Sequence, residues 1–147
     1  MAIKIEIRGV QSLIKKLDSV AEIDGAIRQA TVKSTGIVQA DAKQNAPVDT
    51  GNLKSSIKMN VEQNDESTTG TVSTATKYGM YVEFGAGVRG AASEHPKAGE
   101  LGLKFSPNVA GQTAQPFMYP ALKKNEAKIG RIFTDEVKKA AREAVNV

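Results

Sequence analysis

Glu83 and the pair Glu94-His95 are the residues whose types could carry acid–base chemistry, and Gly85-Ala-Gly-Val-Arg-Gly90 is the run that could cradle a phosphate. A carboxylate acts as a general acid or base only with a partner in hydrogen-bond reach. Glu83, set between Val82 and Phe84, has no obvious partner in the sequence, so its ordinary reading is an exposed or helix-capping side chain. Glu94-His95 is followed by Pro96 in glycine-rich surroundings and reads as a solvated loop pair. The glycine run matches G-x-G-x-x-G by letters alone. A dinucleotide site needs a long hydrophobic strand before that run and a helix after it, inside a βαβ unit, and neither pattern surrounds it. No G-x-S-x-G elbow, no phosphate loop ending in Lys-Ser/Thr and no H-E-x-x-H occurs. With one histidine and no cysteine, thiolate chemistry and ordinary zinc sites drop out together. No catalytic residue, cofactor or metal is therefore expected.

The 147 residues are enough for one domain, residues 1–147, able to bury roughly 70% of its unfolded surface. The absence of cysteine fits folding in a reducing cytoplasm. No run of about eighteen apolar residues exists, and the first eight residues alternate where a signal peptide would be apolar, so a soluble chain with no membrane partner is expected. The formal charge is +4, and most of the excess lies from Tyr119 onward, where seven basic residues face four acidic ones. The two signs are interspersed along a helical pattern, which suits a solvated face. Any DNA contact is then weak and non-specific, and a basic double-stranded DNA-binding protein is the alternative reading. Single-strand binding has little support without tryptophan or aromatic–basic interleaving.

The elements that must position these residues follow from periodicity. Ile3, Ile5 and Ile7 alternate with Lys4, Glu6 and Arg8 as a half-buried strand, and Val10 to Val20 reads as a short helix. Asp24 is placed to cap a longer helix running to about Asn45. Its stripe through Ile27, Ala30, Ser34, Ile37, Val38 and Asp41 is narrow and small, suited equally to another helix or a neighbouring subunit. Ile57, Met59 and Val61 form a second strand; Asn64 to Gly70 is turn-like, and Thr71 to Thr74 returns as its partner. Gly85 to Gln115 is a long glycine-rich loop, in which alternating Leu101, Leu103 and Phe105 suggest an embedded strand or hairpin arm. Such a loop has few apolar side chains to order it alone and reads as a flexible assembly arm, with those three residues its candidate surface. Pro120 fits the first turn of a final helix, and Gly130 within it suggests close packing. The class expected is α+β: a small antiparallel or mixed sheet packed against two long helices, with a long Gly-rich loop.

Between these elements, Ala46-Pro-Val-Asp-Thr-Gly-Asn-Leu-Lys-Ser-Ser-Ile57 is a constrained corner. Pro47 ends the preceding helix, Asp49 and Thr50 are placed to cap the next turn, and Gly51 permits positive φ. Leu53 and Ile57 anchor the turn to a core. The order "APVDTGNLKSSI", then "YVEFGAG" (Tyr81, Glu83, Phe84, Gly85), then "QPFMYPAL" (Pro116, Pro120) resembles a family of small tail-component proteins of tailed double-stranded DNA phages. The resemblance spans about residues 1 to 145. It implies a virion structural protein of the tail or neck, present in the host cytoplasm during assembly. It also implies a role in tail completion or head–tail joining as a homo-oligomeric ring, sixfold by the family pattern, beside other head–tail or tail-tube proteins. It favours a helix over a strand for Tyr78 to Phe84.

Overall fold

The computed structural model describes residues 1–7, 20–93 and 95–145. Three strands, β1 (Ala2–Ile7), β2 (Ile57–Gln63) and β3 (Thr68–Thr74), make one antiparallel sheet in the order β1-β3-β2. The helices are α1 (Val20–Asn45), α2 (Asn52–Ser56), α3 (Gly79–Phe84), α4 (Gly87–Ala91) and α5 (Met118–Val145). The class is α+β with an antiparallel sheet. The expected helix over Val10–Val20 falls almost wholly outside the described residues.

Alternation decides which face of the sheet is buried. Ile3, Val72 and Met59 lie opposite one another across the three strands, as do Ile5, Gly70 and Val61. On that face Val72 is fully buried, while Lys4, Lys58, Asn60 and Glu62 on the other are exposed. Helix α1 closes over the apolar face and packs most extensively on its other side against α5. Gly70 permits this approach: a Cβ there would lie 1.9 Å from Thr35 Oγ1. Thr31 and Thr35, also buried, return their hydroxyls to the helix carbonyls of Ile27 and Thr31. The small-residue stripe of α1 is thus spent inside the subunit, with Ala30, Ser34, Val38 and Ala42 wholly buried.

The principal core joins Val38, Ala42, Leu53, Ile57, Val72 and Phe117, with Ile3, Ile5 and Leu122 packed against it. A second cluster sets Ile23, Ala26 and Ile27 of α1 on Ala140, with Phe133 and Val137 beside them. This second cluster holds the Ile23–Ile27 stretch of α1 against the far end of α5. Asp24 lies inside the helix, not at its cap, because the residues around it are held by the far end of α5.

Other expectations also change. β3 starts at Thr68, so the turn is confined to Asn64–Ser67; Asn64 Oδ1 accepts from the N–H groups of Glu66 and Ser67 at 2.9 and 2.8 Å. Gly130 is exposed with open space around it, so close packing does not account for it. Leu101, Leu103 and Phe105 form no strand. That segment runs through turns, with Leu101 N–H and Leu103 N–H donating to Lys97 and Ala98 carbonyls, and Leu101 is 60% exposed. Between Gly85 and Gln115 the backbone folds back on itself through a two-way bridge of Ala86 with Gln112 and bonds from Val88 and Arg89 to Val109 and Ala110.

Candidate functional site

The corner after α1 is built much as its residues dictate. The helix ends at Asn45 because Pro47 brings no N–H to continue the ladder. Gly51 stands at φ +80, and its carbonyl accepts from Ser55 N–H. Leu53 and Ile57 point into the core. Capping by Asp49 and Thr50 is not seen: both are exposed, and no side chain bonds the first turn of α2. The left-handed turn at Gly51 occupies the cap position itself, leaving the two oxygens outside. Pro47, Asp49 and Gly51 instead line one wall of a cleft whose other wall holds Tyr78, Val82 and Gln115. The first motif therefore faces the second and third.

The second and third motifs are joined directly by Glu83. Its side chain is 1% exposed, and it accepts four hydrogen bonds. Oε2 takes the N–H groups of Phe117 and Met118 at 2.7 and 2.9 Å; Oε1 takes Tyr119 N–H at 2.9 Å and His95 Nε2 at 3.1 Å. A helix start leaves several N–H groups without intrahelical partners and carries partial positive charge. The residues before α5, Gln115 and Pro116, supply no short acceptor of the Ser/Thr/Asp/Asn kind. A carboxylate from a segment 34 residues earlier in the chain does so instead. Val82 carbonyl accepts Gln115 N–H at 2.7 Å, and Asn45 Nδ2, from the residue just before the first motif, donates to Phe117 carbonyl at 3.3 Å, so the second and third motifs are bonded here beside the start of the first.

His95 is the partner that the sequence reading did not find. It is buried, against the expected solvated loop pair; Glu94 lies outside the described residues. Its Nδ1 accepts Lys97 N–H at 3.1 Å, which leaves Nε2 to donate to Glu83. The ring packs 4.3 Å from Phe84 and 5.3 Å, edge-on, from Tyr119. The loop carrying His95 is thereby closed over the start of α5. At the rim, hydrogen bonds to Glu100 and Glu126 hold Lys97 and Lys123 above the ordinary lysine value.

As chemistry, the arrangement spends its polar groups on folding. Both Glu83 oxygens already accept two bonds, and both imidazole nitrogens are engaged. The residues of the glycine run pack backbone on backbone. A Cβ at Gly85 would lie 2.7 Å from Gly90 Cα, and one at Gly87 would lie 2.3 Å from Val109 carbonyl oxygen. That contact accounts for the glycine spacing without a phosphate. Among the described residues no cluster of three or more histidine or acidic side chains has metal-site geometry, and no helix is long and apolar enough to cross a membrane.

Of the other sequence-selected residues, Phe84 is buried, Pro116 and Pro120 are half-buried around the start of α5, and Tyr81 is 51% exposed. Leu103 and Phe105 are half-buried along a groove shared with Tyr81, and Leu101 lines a neighbouring one with His95. The available signal for His95 and Glu83 was the start of α5: a helix with no local cap needs an acceptor from elsewhere.

Comparison with known proteins gives one family. Residues 11–85 match the family model described as "Bacteriophage HK97-gp10, putative tail-component". The match takes in the first motif and ends just after Glu83, so the third motif lies beyond it. No curated protein and no solved structure matches the chain.

Proposed function

The chain belongs to the HK97-gp10-like family of phage tail components, and we propose that it is a non-enzymatic virion subunit of tail completion or head–tail joining that works as a homo-oligomeric ring. One observation carries this reading: the polar residues that look catalytic are consumed in holding the second and third motifs together, while a largely apolar surface at the same end is left exposed. Tyr78, Met80, Tyr81 and Val88 are each 42–52% exposed there. A rigid subunit with exposed apolar area suits assembly. Heterologous contacts repeated around an axis close into a ring, and sixfold closure is the number that the family pattern suggests. Each subunit would add a geometrical unit to the tail or neck and meet other head–tail or tail-tube proteins, after folding in the host cytoplasm.

The DNA-binding alternative has less behind it. Lys123 pairs with Glu126 at 3.0 Å and Lys124 with Asp41 at 3.4 Å, so the basic helix is partly neutralised. The test is loss of the protein from the phage. Particles lacking it are expected to accumulate as separate filled heads and tails that purified protein joins in vitro. Normal joined particles without it would contradict the reading.

A further inference from the structure

The exposed apolar surface has a counterpart elsewhere on the same chain. Met80 and Tyr81 on α3 share one shallow groove with Val109, Tyr78 just before α3 lines a second groove with Tyr81, and Val88 is tied beside Val109 by its N–H. Around these side chains Lys77, Arg89 and Lys104 are exposed and have no ion pair among the described residues. Asp49, across the adjoining cleft, is the acidic residue facing Tyr78. The patch is apolar, with two tyrosines and one methionine, and has a basic margin, a composition suited to a protein interface.

The β2–β3 hairpin is its opposite in charge. From Met59 to Thr76 there are three acidic residues, Glu62, Asp65 and Glu66, and no lysine or arginine. All three are exposed, and neither Asp65 nor Glu66 forms an ion pair among the described residues. The tip is already rigid. Asn64 N–H donates to Ser67 carbonyl at 2.9 Å, and Asn64 Oδ1 holds the two N–H groups that follow Asp65. Little order remains to be imposed on binding. The two surfaces lie at opposite ends of β3: Thr68 adjoins the tip, and Thr74 leads into α3. Seven residues at about 3.3 Å each separate them by roughly 20 Å, so one copy cannot satisfy both itself.

We infer that the occupant of the α3 patch is a second copy of this chain, which inserts its acidic β2–β3 tip against Tyr81 between Lys77, Arg89 and Lys104. The contact is head-to-tail, because tip and patch are different surfaces of one subunit. Charge complementarity fixes the register, and the tyrosines and Met80 supply buried area. The inference rests on the ring reading above and names its contact.

The experiment is molar-mass measurement in solution by light scattering of wild type, Tyr81→Asp, and the double variant Asp65→Lys with Glu66→Lys, alone and mixed. All three positions are exposed, and a thermal melt of each variant checks folding. Wild type is expected to assemble, with an apparent Kd at least tenfold lower than either variant's, and to loosen as salt rises. Each variant alone is expected to be monomeric. Mixed, they are expected to form a dimer and nothing larger, since each keeps the one surface that the other has lost. If wild type and both variants assemble alike, the contact lies elsewhere and the ring reading stands without it. A monomeric wild type at every concentration overturns both.

Discussion

Glu83 does at the residue scale what a local cap does for most helices. Removing it strands three buried or half-buried N–H groups and the donor on His95, so Glu83→Ala is expected to destabilise the fold by about 2–4 kcal/mol. Glu83→Gln keeps one acceptor and places an amide donor against other donors; it is expected to recover only part of that loss. Chemical denaturation of both variants checks the order, and wild-type stability in Glu83→Ala would remove the capping account. Asp49→Ala gives the contrast. Asp49 is exposed and bonds no helix N–H, so its replacement is expected to change stability by under about 0.5 kcal/mol in the same measurement, against the roughly 1 kcal/mol of a working cap.

Helix α5 is the element on which most of the arrangement depends. Gly130 sits exposed within it, with open space where a Cβ would go and no structural account for a glycine there. Gly130→Ala is therefore expected to raise stability by about 0.5–1 kcal/mol, read as a higher melting temperature. The α1–α5 contact also carries a titration. Asn125 Nδ2 donates to Asp41 at 2.6 Å, and this bond, with help from Lys124 and Lys128, holds the Asp41 carboxyl below its ordinary value. A carboxyl lowered by folding stabilises the native state above the ordinary value near 3.8, and that contribution is lost as pH falls through the lower folded value. Stability followed below about pH 4 is expected to fall more steeply with decreasing pH in wild type than in a variant whose stability owes nothing to this group. In Asp41→Asn the corresponding acid-dependent step should disappear.

What the sequence made legible at this scale follows from where the determinants lie. The strand pair around Ile57, Met59 and Val61 and the long apolar repeat of α5 are local patterns, and period alone reveals them. The packing of the Ile23–Ile27 stretch of α1 is not local, because Ile23 and Ile27 are held by Ala140 at the other end of the chain. Gly70 read as a turn residue, since the requirement for it comes from Thr35 across the core. The alternation of Leu101, Leu103 and Phe105 suggested a strand, yet no free strand edge pairs with it, and turns at Lys97–Gly102 bend the backbone away. Glu83 was visible as a capping type without its helix, and His95 was visible as chemistry without its burial. Pairings across 34 and 12 residues leave no periodic trace.

At the scale of the whole molecule, a one-sided sheet, two long helices and a bonded loop leave the subunit with two unlike ends, one acidic at the β2–β3 tip and one apolar with a basic margin at α3. Such polarity is what head-to-tail assembly requires, and it has no evident use in a subunit that acts alone. The most direct measurement is to locate the protein in the particle. A tag on the end of α5, imaged by electron microscopy on purified virions, is expected to appear at one end of the tail, beside the head or at the tail's completed end, in a number matching a single ring. Absence from mature particles, or labelling spread along the tail tube, would contradict the account.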